Sequence, residues 1–272
     1  MIGMHRSGTR LLVDVLDRLG VFMGADRQAD AESVAFMLMN EEILHQCGAF
    51  WSEPMSAHFL LAQPGAAEQL AAHVRESLDA RLVSYVGGAG WELRSGALPA
   101  FGWKDPRNTF TLPVWKQLFP NLRAIHILRH GVDAAASLAR RHAQALRAAT
   151  GEGVPSALAV IRDRELGVLS SRRGWTLAEA LTMWEQYVEK AREECAALGE
   201  RALEVRYEDL LTRPEAVIPA IAQLCGVRPA APAEALLGSL DTGRAFAFRR
   251  DPELAAFAGS ARGVLARYGY TP

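Results

Sequence analysis

The chain has 272 residues, half of them apolar, with 30 Lys+Arg against 31 Asp+Glu for a formal net charge of −1. This is a globular balance with enough apolar mass for a sizeable core, and it excludes wholesale electrostatic attraction to nucleic acid or an anionic membrane, so any anion site must be local. Cys47, Cys195 and Cys225 are too few and too far apart for a disulfide framework or a metal-knuckle spacing, and read as small core hydrophobes. No apolar run reaches the roughly 18 residues of a membrane span. Arg6, Arg10, Asp14, Asp17 and Arg18 break any signal-peptide core, so a cytoplasmic location is expected.

In chain order, the apolar residues 1–4 read as the end of a strand. Leu11, Leu12, Val15, Leu16 and Leu19 then keep helical spacing, with Gly20 placed to end the helix. Residues 25–100 read as mostly helical, broken at Pro54, Pro64–Gly65 and Gly87–Gly90. Phe101–Lys104 reads as a short strand stopped by Asp105–Pro106, because a residue before proline is pushed out of the helical region. Arg123–Arg129 (RAIHILR) has the continuous apolar centre of a buried parallel strand. A helix over Asp133–Arg141 follows, with Asp133 as its expected N-cap. Residues 142–174 read as a mobile or partly helical insertion.

Leu177, Leu181, Trp184, Val188, Ala191, Cys195 and Leu198 trace one face of a long helix. Ala202–Tyr207 reads as a strand, and Thr212-x-x-Glu215 as a capping box opening a helix that stops near Gly226. The alternation predicts an α/β fold, one P-loop-type domain over 1–272 with a parallel central sheet flanked by helices.

Two segments carry chemistry. Gly3-Met-His-Arg-Ser-Gly-Thr9 lies where a strand meets a helix, the place where backbone N–H groups and a helix N-terminus favour a phosphate. A nucleotide triphosphatase loop would end in Gly-Lys-Ser/Thr. Here Thr9 follows Gly8 directly, the lysine is absent, and Arg6 sits inside the loop. Further along, Arg129 stands at a strand end and Ser137 lies on the next helix, eight positions on. The carboxyl ends of parallel strands are where such sheets bind ligands, and an arginine fork there can grip a phosphate.

HRSGT at 5–9, RHGVDAAASL at 129–138 and VRYEDLL at 205–211 together resemble the sulfotransferases that use 3′-phosphoadenosine-5′-phosphosulfate (PAPS) as donor. GMHRSGT and GWKDPR at 102–107 resemble the bacterial branch related to the tyrosylprotein and carbohydrate enzymes. The resemblance runs from residue 2 to about residue 227. It implies transfer of a sulfuryl group from PAPS to a hydroxyl or amine, leaving 3′-phosphoadenosine-5′-phosphate (PAP). His5, Arg6, Ser7, Gly8, Thr9 and Arg10 would hold the 5′-phosphosulfate. Arg129, Ser137 and, from the basic run Arg249–Arg250, Arg249 would hold the 3′-phosphate, with Tyr207 beside the adenine. No metal is expected, since a donor with a single 5′-phosphate needs no metal clamp.

Lys104 precedes Asp105–Pro106 and is expected to leave a strand end aimed at the cleft, and the resemblance implies that it lies near the sulfuryl group, where it would neutralise charge on the bridging oxygen as the S–O bond breaks. An acceptor hydroxyl also needs a base. The resemblance implies a glutamate after the first helix, and Glu41 is the first choice, with Glu32, Glu42 and His45 also open. Arg107 reads as an ion-pair partner of Asp105. The acceptor, a small molecule, carbohydrate or peptide, is expected to be shaped by residues 30–100 and 140–174. Only Met1 and Ile2 precede Gly3, so the first strand is unusually short or lacks natural N-terminal residues. Two alternatives remain, a metal-dependent nucleotide kinase on the same architecture and a non-catalytic PAPS- or PAP-binding protein.

Overall fold

A computed structural model describes residues 1–87, 100–150, 171, 173–229, 232 and 241–272. Of the expected break at Gly87–Gly90, Gly87 follows the end of a helix at Val86, while residues 88–90 and most of the 142–174 insertion lie outside these residues. The chain divides into two compact units, Met1–Leu128 with Tyr187–Ala245, and Arg129–Gln186 with Phe246–Pro272.

The first unit carries the sheet. Strands β1 (Ala124–Leu128) and β2 (Ala202–Arg206) pair in parallel, with Ala124 opposite Ala202 and Leu128 opposite Arg206. All five residues of β1 are buried, as its apolar run requires. Among the described residues the sheet has these two strands. Residues 1–4 contribute one bridge, Ile2 to His126, because Gly3 turns the chain at once with φ 127°. Its Cβ, if it had one, would lie 2.6 Å from the Ile127 carbonyl oxygen, so only glycine makes this close approach. Of Phe101–Lys104, only Phe101 bridges, to Phe22.

Helix α1 (Thr9–Arg18) packs Leu12, Val13, Val15 and Leu16 against Ile125 and Ile127 of β1 and Val205 of β2. Helices α2 (Val34–Gln46), α3 (Met55–Leu61) and α4 (Ala66–Val86) follow, broken at Pro54 and Gly65 as expected. Helix α5 (Asn108–Leu118) packs on all three. Between them lies an aromatic layer, with Phe36 stacked on Trp103 at 3.9 Å and edge-on to Tyr85 and Trp115. Such pairs add to the burial energy of the rings. An apolar cavity of about 600 Å³ opens beside Met1, and none of residues 5–10 lines it.

Helix α6 (Gly131–Thr150) begins the second unit, and helix α7 (Leu177–Leu198) runs from the second unit into the first. After β2 come α8 (Tyr207–Thr212) and α9 (Pro214–Cys225), the latter closed by Gly226 in the left-handed conformation. A 3-10 turn (Ala247–Arg250), α10 (Pro252–Ser260) and α11 (Arg262–Arg267) complete the second unit.

Three local expectations are corrected. Tyr207 does not end the strand but starts α8. Thr212 forms no capping box, since its hydroxyl donates back to the Glu208 carbonyl (2.8 Å) and Pro214, with no N–H to satisfy, opens α9. Asp133 is not an N-cap, because α6 starts two residues earlier; its carboxylate is used elsewhere, as described below. No described helix is long and apolar enough to cross a membrane.

Candidate functional site

The turn from Ile2 into α1 forms the loop that the motif predicts. Gly8 is the N-cap of α1 with φ 91°, with no side-chain cap and no acidic residue in the first turn. The first-turn amides of a helix have no intrahelical acceptor, and the first turn of α1 itself holds no acidic side chain, which suits an anion. A Cβ on Gly8 would sit 2.1 Å from the Tyr207 ring, so the buried tyrosine presses directly on the loop backbone. Arg6 is exposed and held at φ 70°, a left-handed conformation that is strained for a side-chain-bearing residue. His5 and Ser7 are buried, His5 with its ring 4.7 Å from Trp51 and 6.1 Å from Tyr187. Thr9 is buried, while Arg10 directs a guanidinium nitrogen to the Ala29 carbonyl (2.5 Å), tying α1 to the segment before α2.

The start of α5 locks this loop to the Lys104 segment. Thr109 Oγ1 accepts from the Gly3 amide (2.9 Å), and Asn108 Nδ2 donates to the Met1 carbonyl (3.0 Å). Asp105 Oδ1 accepts from the Arg107 amide (2.9 Å), the two-residue turn by which aspartate commonly opens a bend. Lys104 Nζ donates to Glu32 Oε1 (2.7 Å) and to the Asp30 carbonyl (3.2 Å). The side chains of this pair are 4% and 5% exposed. Arg107 reaches Glu32 Oε2 (3.2 Å) and Asp105 Oδ1 (3.0 Å) through Nη1, and Glu41 Oε1 (3.0 Å) through Nη2. The expected Arg107–Asp105 pair therefore exists within a wider cluster.

The four candidate bases sit in different surroundings. Glu41 is 49% exposed and held by Arg107. Glu42 pairs with His73 (2.7 Å) and Arg81 (2.5 Å), which hold its carboxyl below the usual range, and His45 is exposed. Glu32 alone is buried against Lys104. Burial drives its pKa up, Asp105 and Asp30 add to the rise, and Lys104 and Arg107 oppose it.

Sequence reasoning missed the residue beneath this cluster. Asn40, fully buried in α2, donates to Asp105 Oδ2 (2.9 Å) and Asn108 Oδ1 (2.8 Å). Its oxygen accepts from Thr111 Oγ1 (2.5 Å) and Trp115 Nε1 (2.8 Å). A lone asparagine inside the apolar run AFMLMN was the available signal, since a buried amide must find partners.

In the second unit, Arg129 and the basic run Arg249–Arg250 are linked. Asp133 accepts from the amides of Ala247 (3.1 Å) and Phe248 (2.9 Å), and its carboxylate lies 3.9 Å from Arg129 Nη2. Arg249 lies over the Phe246 ring at 4.6 Å. His130 stacks on Phe248 at 4.1 Å and directs Nε2 at the Thr271 carbonyl (3.0 Å). Burial lowers its pKa to about 4, helped by the charges of Arg249 and Arg129. Trp184 Nε1 donates to the Arg129 carbonyl (3.0 Å). Ser137 lies on α6, two turns beyond Arg129.

The chain matches a family model described as "Sulfotransferase family" over residues 1–231. Among solved structures it is similar to the "Sulfotransferase Domain from the Curacin Biosynthetic Pathway", with a TM-score of 0.50 and 17% identity over 95% of each chain. At that identity the likeness speaks for the fold. A search of curated proteins returned no match.

Proposed function

The chain belongs to the sulfotransferase family, and from that premise we propose that it moves the sulfuryl group of PAPS onto a hydroxyl or amine, with Glu32 as base and Lys104 as the electrostatic catalyst. The observation that carries this reading is the buried contact of 2.7 Å between Lys104 and Glu32. A base and a cation for the leaving group are both required at one sulfur, and a desolvated pair next to the Gly3–Thr9 turn supplies them together.

The roles follow from charge and position. The α1 amides and Arg6 bind the 5′-phosphosulfate, where the absence of first-turn carboxylates suits an anion. Acceptor oxygen attacks sulfur in line with the departing phosphate oxygen. Glu32 takes the acceptor proton, and Lys104 offsets the negative charge that grows on the bridging oxygen. Protonation of Glu32 also weakens its hold on Lys104, so proton removal and leaving-group stabilisation reinforce each other. Arg129, Ser137 and Arg249 take the 3′-phosphate, and Asp133 registers the turn that carries Arg249. Tyr207 backs the loop through Gly8 and lies beside the adenine. The described elements of residues 30–87 border the acceptor, and the reaction proceeds without a metal.

The test is calorimetric titration with PAP and AMP in parallel, without metal, followed by PAPS turnover over a panel of phenols, alcohols and amines. PAP binding at least tenfold tighter than AMP supports the two phosphate sites. Equal affinities, or a magnesium-dependent signal from ATP in their place, sink the reading.

A further inference from the structure

The cluster around Glu32 contains a cation that the proposed chemistry leaves without a task. Glu32 meets Lys104 through one carboxylate oxygen and Arg107 through the other. Lys104 has two calls on it, since it must also face the donor's bridging oxygen. When the ammonium turns to the donor, Glu32 loses its nearest cation. A buried carboxylate without a partner takes up a proton, and a protonated Glu32 cannot act as base.

Arg107 cannot follow Lys104. Its guanidinium is tethered to Asp105 (3.0 Å) and to Glu41 (3.0 Å). Asp105 is in turn held by Asn40 (2.9 Å) and by the Arg107 amide (2.9 Å). Asn40 already uses both amide hydrogens and has two donors on its oxygen. The planar fork therefore stays in place whatever the flexible lysine does.

We propose that Arg107 is the positioning residue of this reaction, holding Glu32 in place and ionised while Lys104 engages the donor. The inference rests on the reading of Glu32 as base. The charged groups facing Glu32 are Lys104 and Arg107, which favour its ionised form, and Asp105 and Asp30, which oppose it together with burial. Removing Arg107 leaves the opposing influences against Lys104 alone, so Glu32 binds its proton at higher pH. A shift of about one pH unit or more is expected for the loss of an adjacent opposite charge.

The experiment is a difference-infrared titration of the Glu32 carboxyl with PAP bound, its band identified by its absence in Glu32→Gln. Wild type, Arg107→Met and Arg107→Lys are compared, with PAP affinity and Tm measured alongside. The expected order of Glu32 titration is wild type lowest, Lys intermediate and Met highest, with PAP affinity within threefold. Arg107→Lys keeps a buried cation and serves if the methionine variant does not fold. Coincident titrations in wild type and every folded variant, whatever happens to Tm, overturn the proposal. Glu32→Gln turnover of PAPS over the acceptor panel separates the two failures. A variant as active as wild type overturns the base reading and the inference with it. An inactive Glu32→Gln combined with coincident titrations overturns the role of Arg107 alone.

Discussion

The polar centre around Arg107 and the aromatic patch around His130 both bury charged groups, and they compensate them in different proportions, the first chiefly by ion pairs and the second chiefly by backbone amides and rings. At Arg107, carboxylates and cations meet directly: Glu32, Asp105 and Glu41 on one guanidinium, with Lys104 alongside. Around His130, Asp133 is held by two backbone amides with Arg129 3.9 Å away, the exposed Arg249 lies over a phenyl ring, and the imidazole is kept neutral by burial. Amides and rings do not titrate near neutrality, whereas a carboxylate between two cations and two anions responds to any change in its neighbours. A proton-transfer site needs that responsiveness, and a site for a permanent anion needs cations that do not change. The proposed roles divide the same way.

The largest expected effect tests the reactive side. Glu32→Gln lowers PAPS turnover by about a hundredfold or more while PAP affinity stays within threefold. Lys104→Ala does likewise, since its charge matters most when the bridging oxygen leaves. Steady-state turnover beside calorimetry reads both, and a loss confined to affinity would make the centre a binding element only. Gly8→Ala comes next. A Cβ there meets the Tyr207 ring at a φ of 91°, and the left-handed backbone alone costs about 1–2 kcal/mol. Urea unfolding should show at least that loss, and an unchanged midpoint would mean that Tyr207 does not bear on the loop.

On the fixed-charge side, Asp133→Ala releases two backbone amides and one arginine. PAP affinity should fall about tenfold, roughly 1.4 kcal/mol, with AMP affinity unchanged. Equal losses for both nucleotides would make Asp133 a general stabiliser and remove the link to the 3′-phosphate. The last test is the pH dependence of His130, an effect confined to acid conditions. Its pKa is lowered from 6.5 to about 4 in the fold, so the unfolded chain takes up the proton first as pH drops. Its contribution is whole above pH 6.5 and is lost progressively between pH 6.5 and about 4. His130→Phe should flatten that part of the urea-midpoint profile. A variant profile parallel to wild type would show that the imidazole is not held neutral.

Much of the fold was legible because it is written locally. The periodicity of Leu11–Leu19, the Pro54 and Gly65 breaks, the apolar run of β1 and the Gly226 stop each depend on a few adjacent residues, and each lies where the pattern put it. The loop from Gly3 to Thr9 was legible for the same reason, since its glycines meet conformational demands set within the turn itself.

Choices between chemically equal residues were not legible. Glu32, Glu41 and Glu42 are all glutamates within one stretch of chain, and nothing local separates a buried partner of Lys104 from a half-exposed partner of Arg107. Lys104 and Glu32 are 72 positions apart, and Asp133 and Phe248 are 115 apart. Asp133 has the composition of a helix cap, yet its carboxylate goes to a turn that only the tertiary fold brings to it. The sequence alone determined where most of the helices and the two paired strands lie and where the glycine-bearing Gly3–Thr9 turn falls, because backbone preference acts over a few residues. The tertiary structure decided which charges are desolvated and against what, because burial and ion pairing depend on the whole of the surrounding fold.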